Sequence, residues 1–315
     1  MNLTRRTFFG GLTASVVCPQ LLASTKAAID PTLTVLFSDV HVNGVKGRDT
    51  YQQGKFARVV ADILKMDPLP ARAICFGDLA YLFGRKEDYL ESAKGIKLLT
   101  DAGIQVTLGM GNHDRRSTFL EVHPRYAQTT KVPGRIVSVV DAGPVDFIML
   151  DGLMGADDRA LDDMGPGTAL IDPAQLDWLK AELPNWKKPV FVCSHWPINQ
   201  VNAGNVKFAK FLAQCPAVAG YLHGHDHRWY KTYPIFDWSR NTSLRTLCLP
   251  STGHWGDIGF VTFRTSGDLA VAALHQYEYY FPRPEPKQPS DRRLWDIITA
   301  ENQKQTCTFT LPKLG

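Results

Sequence analysis

Five short stretches of this chain gather carboxylate, imidazole and amide side chains: Asp39-Val40-His41, Gly77-Asp78, Gly111-Asn112-His113-Asp114, Ser194-His195 and Gly224-His225-Asp226-His227. None contains a thiolate. Aspartate oxygens, imidazole nitrogens and an amide oxygen suit zinc, manganese, iron or cobalt. Seven such groups (Asp39, His41, Asp78, Asn112, His195, His225 and His227) are too many for one catalytic ion that keeps open positions. They suit two ions, with one carboxylate bridging a pair about 3.5–4 Å apart that clamps the attacking and leaving oxygens of a displacement. Singly the motifs are weak. At average composition Asp-x-His arises by chance in roughly a third of chains this long, whereas Gly-Asn-His-Asp arises in about one in a thousand. A lone histidine here would be read as a satisfied core or strand-end residue, and it is the ordered set that argues for a metal centre.

Each motif directly follows an apolar, β-rich run. Such runs cover 33–37, 71–76, 104–108, 190–194 and 218–222. In open α/β sheets ligands bind in the loops past the carboxyl ends of strands, so residues far apart in sequence are expected to converge there. Between the first three runs the pattern is helical. Phe56, Val59, Val60, Ile63 and Leu64 form one stripe over 53–66, and a second helix over 88–102 stops at Gly103. Strand-helix-strand-helix-strand at this spacing predicts parallel pairing with right-handed crossovers.

Further strands are expected at 136–140, 145–150, 245–249, 258–264 and 269–275. Asp172-Pro173 reads as N-cap and first residue of a helix carrying Leu176, Leu179 and Leu183. The second half is richer in strands than the first. This favours two packed mixed β-sheets flanked by helices over one doubly wound sheet. Prolines 282, 284, 286 and 289 mark a stiff linker. Beyond it a helix is expected over 290–302, and Cys307, Phe309 and Leu311 alternate with threonines as in a strand that docks back on the domain.

The chain has 315 residues, 44% hydrophobic and 21% charged, which excludes a disordered, collagen-like or coiled-coil protein. Six cysteines without a CxxC exclude a disulfide scaffold and a thiolate zinc module. No apolar run reaches the roughly 18 residues that would span a bilayer, so no transmembrane anchor is expected. The opening segment is an address. Arg5-Arg6 precede Phe8-Phe9, then a weakly apolar stretch to Leu22 and the small residues Ala23, Ser24, Ala27 and Ala28. This is the twin-arginine signal pattern, with cleavage expected between Ala23 and Ile29. It makes the twin-arginine export machinery a partner and the periplasm or exterior the destination. That route carries folded proteins, as suits a metal loaded before crossing. Residues 1–30 hold Arg5, Arg6 and Lys26 against Asp30, so their loss takes the net charge from +4 to +2, too weak to argue for a nucleic acid partner. The expected division is a signal peptide over 1–29, a catalytic domain over 30–281, and a proline-rich linker with a C-terminal extension over 282–315.

From about 33 to 275 the ordered set resembles the calcineurin-like metallophosphoesterases. The resemblance implies a four-layer α/β/β/α sandwich and two divalent or trivalent ions (Fe, Mn or Zn). Asp39, His41 and His227 would hold the first ion, Asp78 would bridge, and Asn112, His195 and His225 would complete the second. His113 would protonate the leaving group or steady its charge, with Asp114 orienting it. A hydroxide bridging the metals would attack phosphorus in line. The implied activity is hydrolysis of small-molecule phosphodiesters or phosphomonoesters.

Tyr81, three residues after Asp78, together with Val192-Cys-Ser-His195, also resembles the purple acid phosphatases, in which a tyrosine at that spacing binds ferric iron. Those enzymes lack the histidine of Asp-x-His, and here His41 fills that place. The run Gly-Met-Gly-Asn-His-Asp-Arg and the segment Pro-Ser-Thr-Gly-His ending at His254 resemble the bacterial cyclic-nucleotide phosphodiesterase branch instead. Tyr81 is then a pocket wall or a core residue. A non-catalytic binding protein on the same fold is the alternative from another class. Arg115 and Arg116 could each grip a phosphate oxygen bidentately or sit solvated on a loop. His254 is placed in the substrate cleft, His223 supports the site, and His123 and His275 are structural.

Overall fold

The run before Ser38 extends as β1 (Ile29–Phe37), and its alternate residues feed two different layers. Leu36 points into one apolar cluster while Val35 and Phe37 point into another, the period of two expected of a strand covered on both faces. This computed structural model describes residues 27–45, 51–153, 169–232, 244–253, 255–279 and 304–314. The twin-arginine segment, the prolines of the linker, the helix expected over 290–302 and His254 lie outside the described residues.

The first sheet is built on β1, β2 (Leu69–Cys75) and β3 (Gln105–Leu108), parallel neighbours linked by α1 (Tyr51–Leu64) and α2 (Lys86–Asp101). The parallel order read from the sequence is therefore present. Two short helices follow, α3 (Arg116–Val122) and α4 (Arg125–Thr129). The second sheet begins with β4 (Ser138–Asp141) and β5 (Asp146–Met149). A two-residue pair, β6 (Ala169–Leu170) and β8 (Val201–Asn202), stands apart. Helix α5 (Pro173–Glu182) starts as expected, with the Asp172 carboxylate accepting the Gln175 N–H at 2.9 Å and proline in the first turn. Strand β7 (Val190–Cys193), α6 (Phe208–Gln214), β9 (Val218–His223), β10 (Tyr230–Thr232) and β11 (Thr246–Cys248) complete that half. Its order is β10-β11-β9-β7-β5-β4, parallel in the middle with antiparallel edges.

Strands β12 (Asp257–Ser266) and β13 (Leu269–Tyr279) return antiparallel to the first sheet, and β14 (Thr306–Thr310) pairs with β13 at its edge. The sheets face each other across Phe147, Phe191, Phe263 and Phe309, whose rings meet at centroid separations of 5.1–5.6 Å. Helices α1 and α2 cover the outer face of the first sheet, and α5 and α6 that of the second. This is the two-sheet, helix-flanked sandwich. Strand β4 starts two residues later than expected. Residues 136 and 137 lie outside β4 because their amides bind side chains, Ile136 N to Asp151 Oδ2 at 2.9 Å and Val137 N to Thr130 Oγ1 at 3.1 Å. Among the described residues no helix is long and apolar enough to cross a membrane.

Candidate metal centre

The five motifs occupy the turns at the carboxyl ends of β1, β2, β3, β7 and β9. The turns are bonded to one another: Asp39 N donates to Gly77 O at 3.1 Å, His41 N to Asp78 O at 2.9 Å, and Gly224 N to His195 O at 3.0 Å. Asp39, His41, Asp78, His225 and His227 all have positive φ, between 49° and 71°. A non-glycine residue in that region costs about 1–3 kcal/mol and persists where its surroundings over-determine it. Here the cross-bonded turns do so, and the strain aims five side chains at one point. Two glycines let the turns close up. A Cβ on Gly111 would lie 2.1 Å from Asp78 Oδ1, and one on Gly224 would lie 2.0 Å from Ser38 Oγ and 2.7 Å from Asp39 Oδ2.

The side chains form two adjoining groups. In the first, Asp39 Oδ1 lies 2.9 Å from His227 Nε2 and 3.9 Å from His41 Nε2, and the two imidazole nitrogens are 3.3 Å apart. In the second, His195 Nε2 lies 3.2 Å from Asp78 Oδ2 and 3.1 Å from Asn112 Oδ1, which is 2.9 Å from His225 Nδ1. Asp78 Oδ2 also stands 3.6 Å from His41 Nε2, so a single carboxylate oxygen faces both groups. The other oxygens are occupied: Asp39 Oδ2 accepts His225 N–H at 3.1 Å and Asp78 Oδ1 accepts His113 N–H at 2.8 Å.

Backbone carbonyls behind the rings set their tautomers. His41 Nδ1 meets Tyr81 O at 3.1 Å, His195 Nδ1 meets Phe76 O at 3.0 Å, and His227 Nδ1 meets Trp255 O at 3.0 Å. A ring that donates from Nδ1 turns a lone pair inward at Nε2. Carboxylate, amide and imidazole groups therefore converge, and among the described residues buried Asp39 Oδ1 has no hydrogen-bond partner. Its close approach to His227 Nε2 is attractive only with a cation or an extra proton between them. The donor set and the orphaned oxygen both fit metal ions.

The electrostatics agree. Burial opposes charge on Asp39 and Asp78, yet His227 and His195 hold Asp39, and His195 and His113 hold Asp78, below the usual carboxylate range. Burial pushes His41 well below its ordinary value and, with His195, takes His225 down to about 4, leaving both rings neutral. At His195 burial is outweighed by Asp78 and Asp39, which raise it to about 9 in the absence of a cation.

His113 is half-buried beside this cluster, its Nε2 3.9 Å from Asp78 Oδ2 and its Nδ1 3.0 Å from Leu82 O. The Leu82 carbonyl therefore orients the ring, the task expected of Asp114. Asp114 accepts instead from Gly111 N at 2.9 Å, Ala80 N at 3.1 Å and the Tyr89 hydroxyl at 3.1 Å, and so fixes the backbone of the turn. Burial, then Asp78, raises its carboxyl to about 6. Arg116 is no phosphate ligand. It is buried against Asp151 in a bidentate pair at 2.5 and 2.9 Å. Arg115 is half-buried and does not line the cavity over the cluster. Tyr81 also lies off that cavity and contributes the carbonyl that holds His41. His223 is buried, with Nδ1 2.9 Å from Gly224 O, a supporting position.

Over the cluster lies a cavity of about 670 Å³, walled by Asp78, Asn112, His113, His225 and His227 and also by Asp226, Arg228, Tyr230 and Trp255. Sequence reasoning missed the last three of these. Arg228 and Tyr230 follow the Gly-His-x-His motif directly, which is a usable signal, whereas Trp255 reaches the cavity through the turn before β12.

Residues 33–229 match the family model described as calcineurin-like phosphoesterase. No curated protein matches the chain in sequence. Among solved structures, a dimetal phosphatase from Danio rerio is similar, with 14% identity over 78% of this chain and 96% of that one and a TM-score of 0.61. PhoD is similar too, with 11% identity over 82% of this chain and 69% of that one and a TM-score of 0.53. At such identities the likeness is one of fold.

Proposed function

This chain belongs to the calcineurin-like phosphoesterases, metal-dependent phosphoric ester hydrolases, and on that premise we propose that it is an exported dinuclear enzyme acting on small phosphodiesters or phosphomonoesters. Asp39, His41 and His227 would hold one ion, Asn112, His195 and His225 the other, and Asp78 would stand between them. The observation that carries the reading is the convergence of these acceptors, with Asp78 Oδ2 facing both groups at 3.2 and 3.6 Å. Two such ions, when bound, polarise phosphoryl oxygens and lower the pKa of a water.

The chain's own residues do the rest. His113 keeps one nitrogen on Leu82 O and turns the other toward the cavity, where a proton can pass from Nε2 to the departing oxygen of an ester. Asp114 locks the turn that carries Asn112 and His113. Arg228 brings a positive charge to the cavity wall, where a phosphate would lie. The phosphodiesterase-like branch is supported by His41 standing in the ligand group with Tyr81 behind it. Export rests on Arg5-Arg6 and the short apolar stretch after them. A catalytic domain over 30–281 with an extension over 282–315 is supported by β14 closing the edge of the first sheet.

Metal analysis of the purified protein, beside assays on an aryl phosphate monoester and diester, tests the site. Two ions per chain are expected, identifying Fe, Mn or Zn, and both Asp78→Ala and His225→Ala should lose metal and turnover together. Variants that keep two ions and wild-type rates would defeat the assignment. Replacing Arg5-Arg6 by a lysine pair should keep the protein in the cytoplasm on fractionation; unchanged export would defeat that part alone.

A further inference from the structure

We propose that His223, Asp226 and Cys248 form a third metal site, separate from the two ligand groups above, that takes Zn2+ through a cysteine thiolate. None of the three is assigned to either ion of the dinuclear reading, so the inference goes beyond it.

The register of the second sheet assembles the site. Strands β9 and β11 are parallel neighbours in which His223 stands opposite Cys248, and Cys248 stands opposite Tyr230 of β10. Leu222 and Leu247 point between the two sheets, so by the period of two His223 and Cys248 share the other face. The Gly224 carbonyl holds them side by side, with His223 Nδ1 at 2.9 Å and Cys248 Sγ at 3.5 Å. Asp226 reaches the same point from the turn between β9 and β10, its Oδ2 accepting the Tyr230 hydroxyl. An imidazole nitrogen, a carboxylate oxygen and the sulfur lie within 4.8 Å of one another.

The chemistry of the set points to zinc. A thiolate beside an imidazole and a carboxylate suits a borderline-soft ion and not magnesium or calcium. Among the described residues Cys248 is the only cysteine to share such a cluster, while Cys75, Cys193, Cys215 and Cys307 are buried without one. His223 and Cys248 are 1% and 0% exposed, whereas Asp226 and Tyr230 line the cavity, so an ion has both buried ligands and a path of entry. Binding forms a Zn–S bond as the thiol proton leaves to solvent. Three protein ligands leave a fourth position for water. They also make the site weaker than a group that shares Asp78 as a fourth ligand, so the third ion enters when metal is added to the purified protein.

Co2+ added to the full chain is the probe. A thiolate-to-cobalt charge-transfer band in the near ultraviolet reports sulfur ligation, and the two ligand groups above have no sulfur to give one. The band should saturate at one equivalent per chain, and Zn2+ should abolish it. Cys248→Ser should lose it. His223→Gln and Asp226→Asn should weaken the underlying Co2+ affinity by about tenfold or more, since even the outer partners of a metal ligand are worth about 10–100-fold. Asp78→Ala should keep the band while losing the dinuclear ions, which separates failure of this site from failure of the phosphoesterase reading. Circular dichroism checks each variant, and if Cys248→Ser does not fold, Asp226→Asn on its half-buried turn decides in its place. No band in wild type, a band that Zn2+ leaves unchanged, one that survives in folded Cys248→Ser, or one lost with Asp78→Ala overturns the proposal.

Discussion

Asp39 Oδ1 and His227 Nε2 face each other at 2.9 Å, although the ring's other nitrogen already meets the Trp255 carbonyl at 3.0 Å. That contact is attractive only with a cation or an extra proton between them, so a bound metal ion is expected to stabilise the fold. A ligand at a hundred to a thousand times its Kd stabilises a protein by about 3–4 kcal/mol. Removing the ions should therefore lower Tm by roughly 5 °C or more. Thermal unfolding with and without a chelator measures this, and an identical midpoint would count against the site.

His113 touches Asp78 only through its backbone amide at 2.8 Å and a long 3.9 Å side-chain approach. His113→Ala should consequently keep both ions while kcat falls about 10²–10⁴-fold, the usual worth of a general acid. Asp114→Ala should act differently, because Asp114 satisfies backbone amides rather than the His113 ring. Unpaired buried donors cost about 1–3 kcal/mol each, so its main loss should appear in urea unfolding. If His113→Ala turns over at the wild-type rate, the proton donor lies elsewhere.

Gly111 permits a close approach to the candidate bridging carboxylate, since a methyl there would sit 2.1 Å from Asp78 Oδ1. Gly111→Ala should displace the oxygen that faces both ligand groups. The expected outcome is loss of at least one ion per chain with the fold retained. Metal content beside circular dichroism reads it, and full occupancy with normal turnover would contradict it.

Legibility in the sequence followed the range of the interactions. Runs such as 190–194 and 218–222 could be read because strands buried on both faces are continuously apolar. The seven candidate ligand residues could be picked out because each motif is short and follows such a run. Helices α3 and α6, at seven residues each, are too short for a 3.6 period to declare itself. The start of β4 was hidden because the side chains of Thr130 and Asp151 capture its neighbouring amides. Leu82 could not be found as the partner of His113, since the contact is a backbone oxygen indifferent to residue type. Trp255 was hidden because Asp257 draws its turn back to His227.

The buried pair of Arg116 and Asp151 ties α3 to the end of β5, and Asp151 also takes the Ile136 amide at 2.9 Å. Asp151→Ala would leave the guanidinium buried beside unsatisfied amides. Breaking one side of such a pair costs about 3–5 kcal/mol, far more than an exposed ion pair would. Denaturant unfolding should show a loss of that order. The exposed pair of Lys97 and Asp101, 2.8 Å apart, is the internal control, and Lys97→Ala should cost under about 1 kcal/mol. Equal losses at the two sites would mean that burial does not set the cost.

His123 provides a pH test away from the ligands. Its Nε2 is buried without a hydrogen-bond partner, and its ring rests on Phe119 at 5.0 Å. Burial, then the neighbouring Arg125, lowers its pKa from the ordinary value of about 6.5 to about 4 in the fold. Between those values the unfolded chain takes up a proton that the folded chain refuses. Stability is therefore complete above about pH 6.5 and declines as pH falls toward 4, following the sign set by the greater proton uptake of the unfolded state. Allowing for partial exposure, the decline attributable to this residue is of order 2 kcal/mol. Replacing it with an uncharged ring of similar shape, His123→Phe, should flatten that part of the stability curve, as measured by urea unfolding at pH 7, 5.5 and 4.5 in metal-free buffer. A variant whose stability falls with pH as steeply as the wild type would remove His123 as a source of the acid sensitivity.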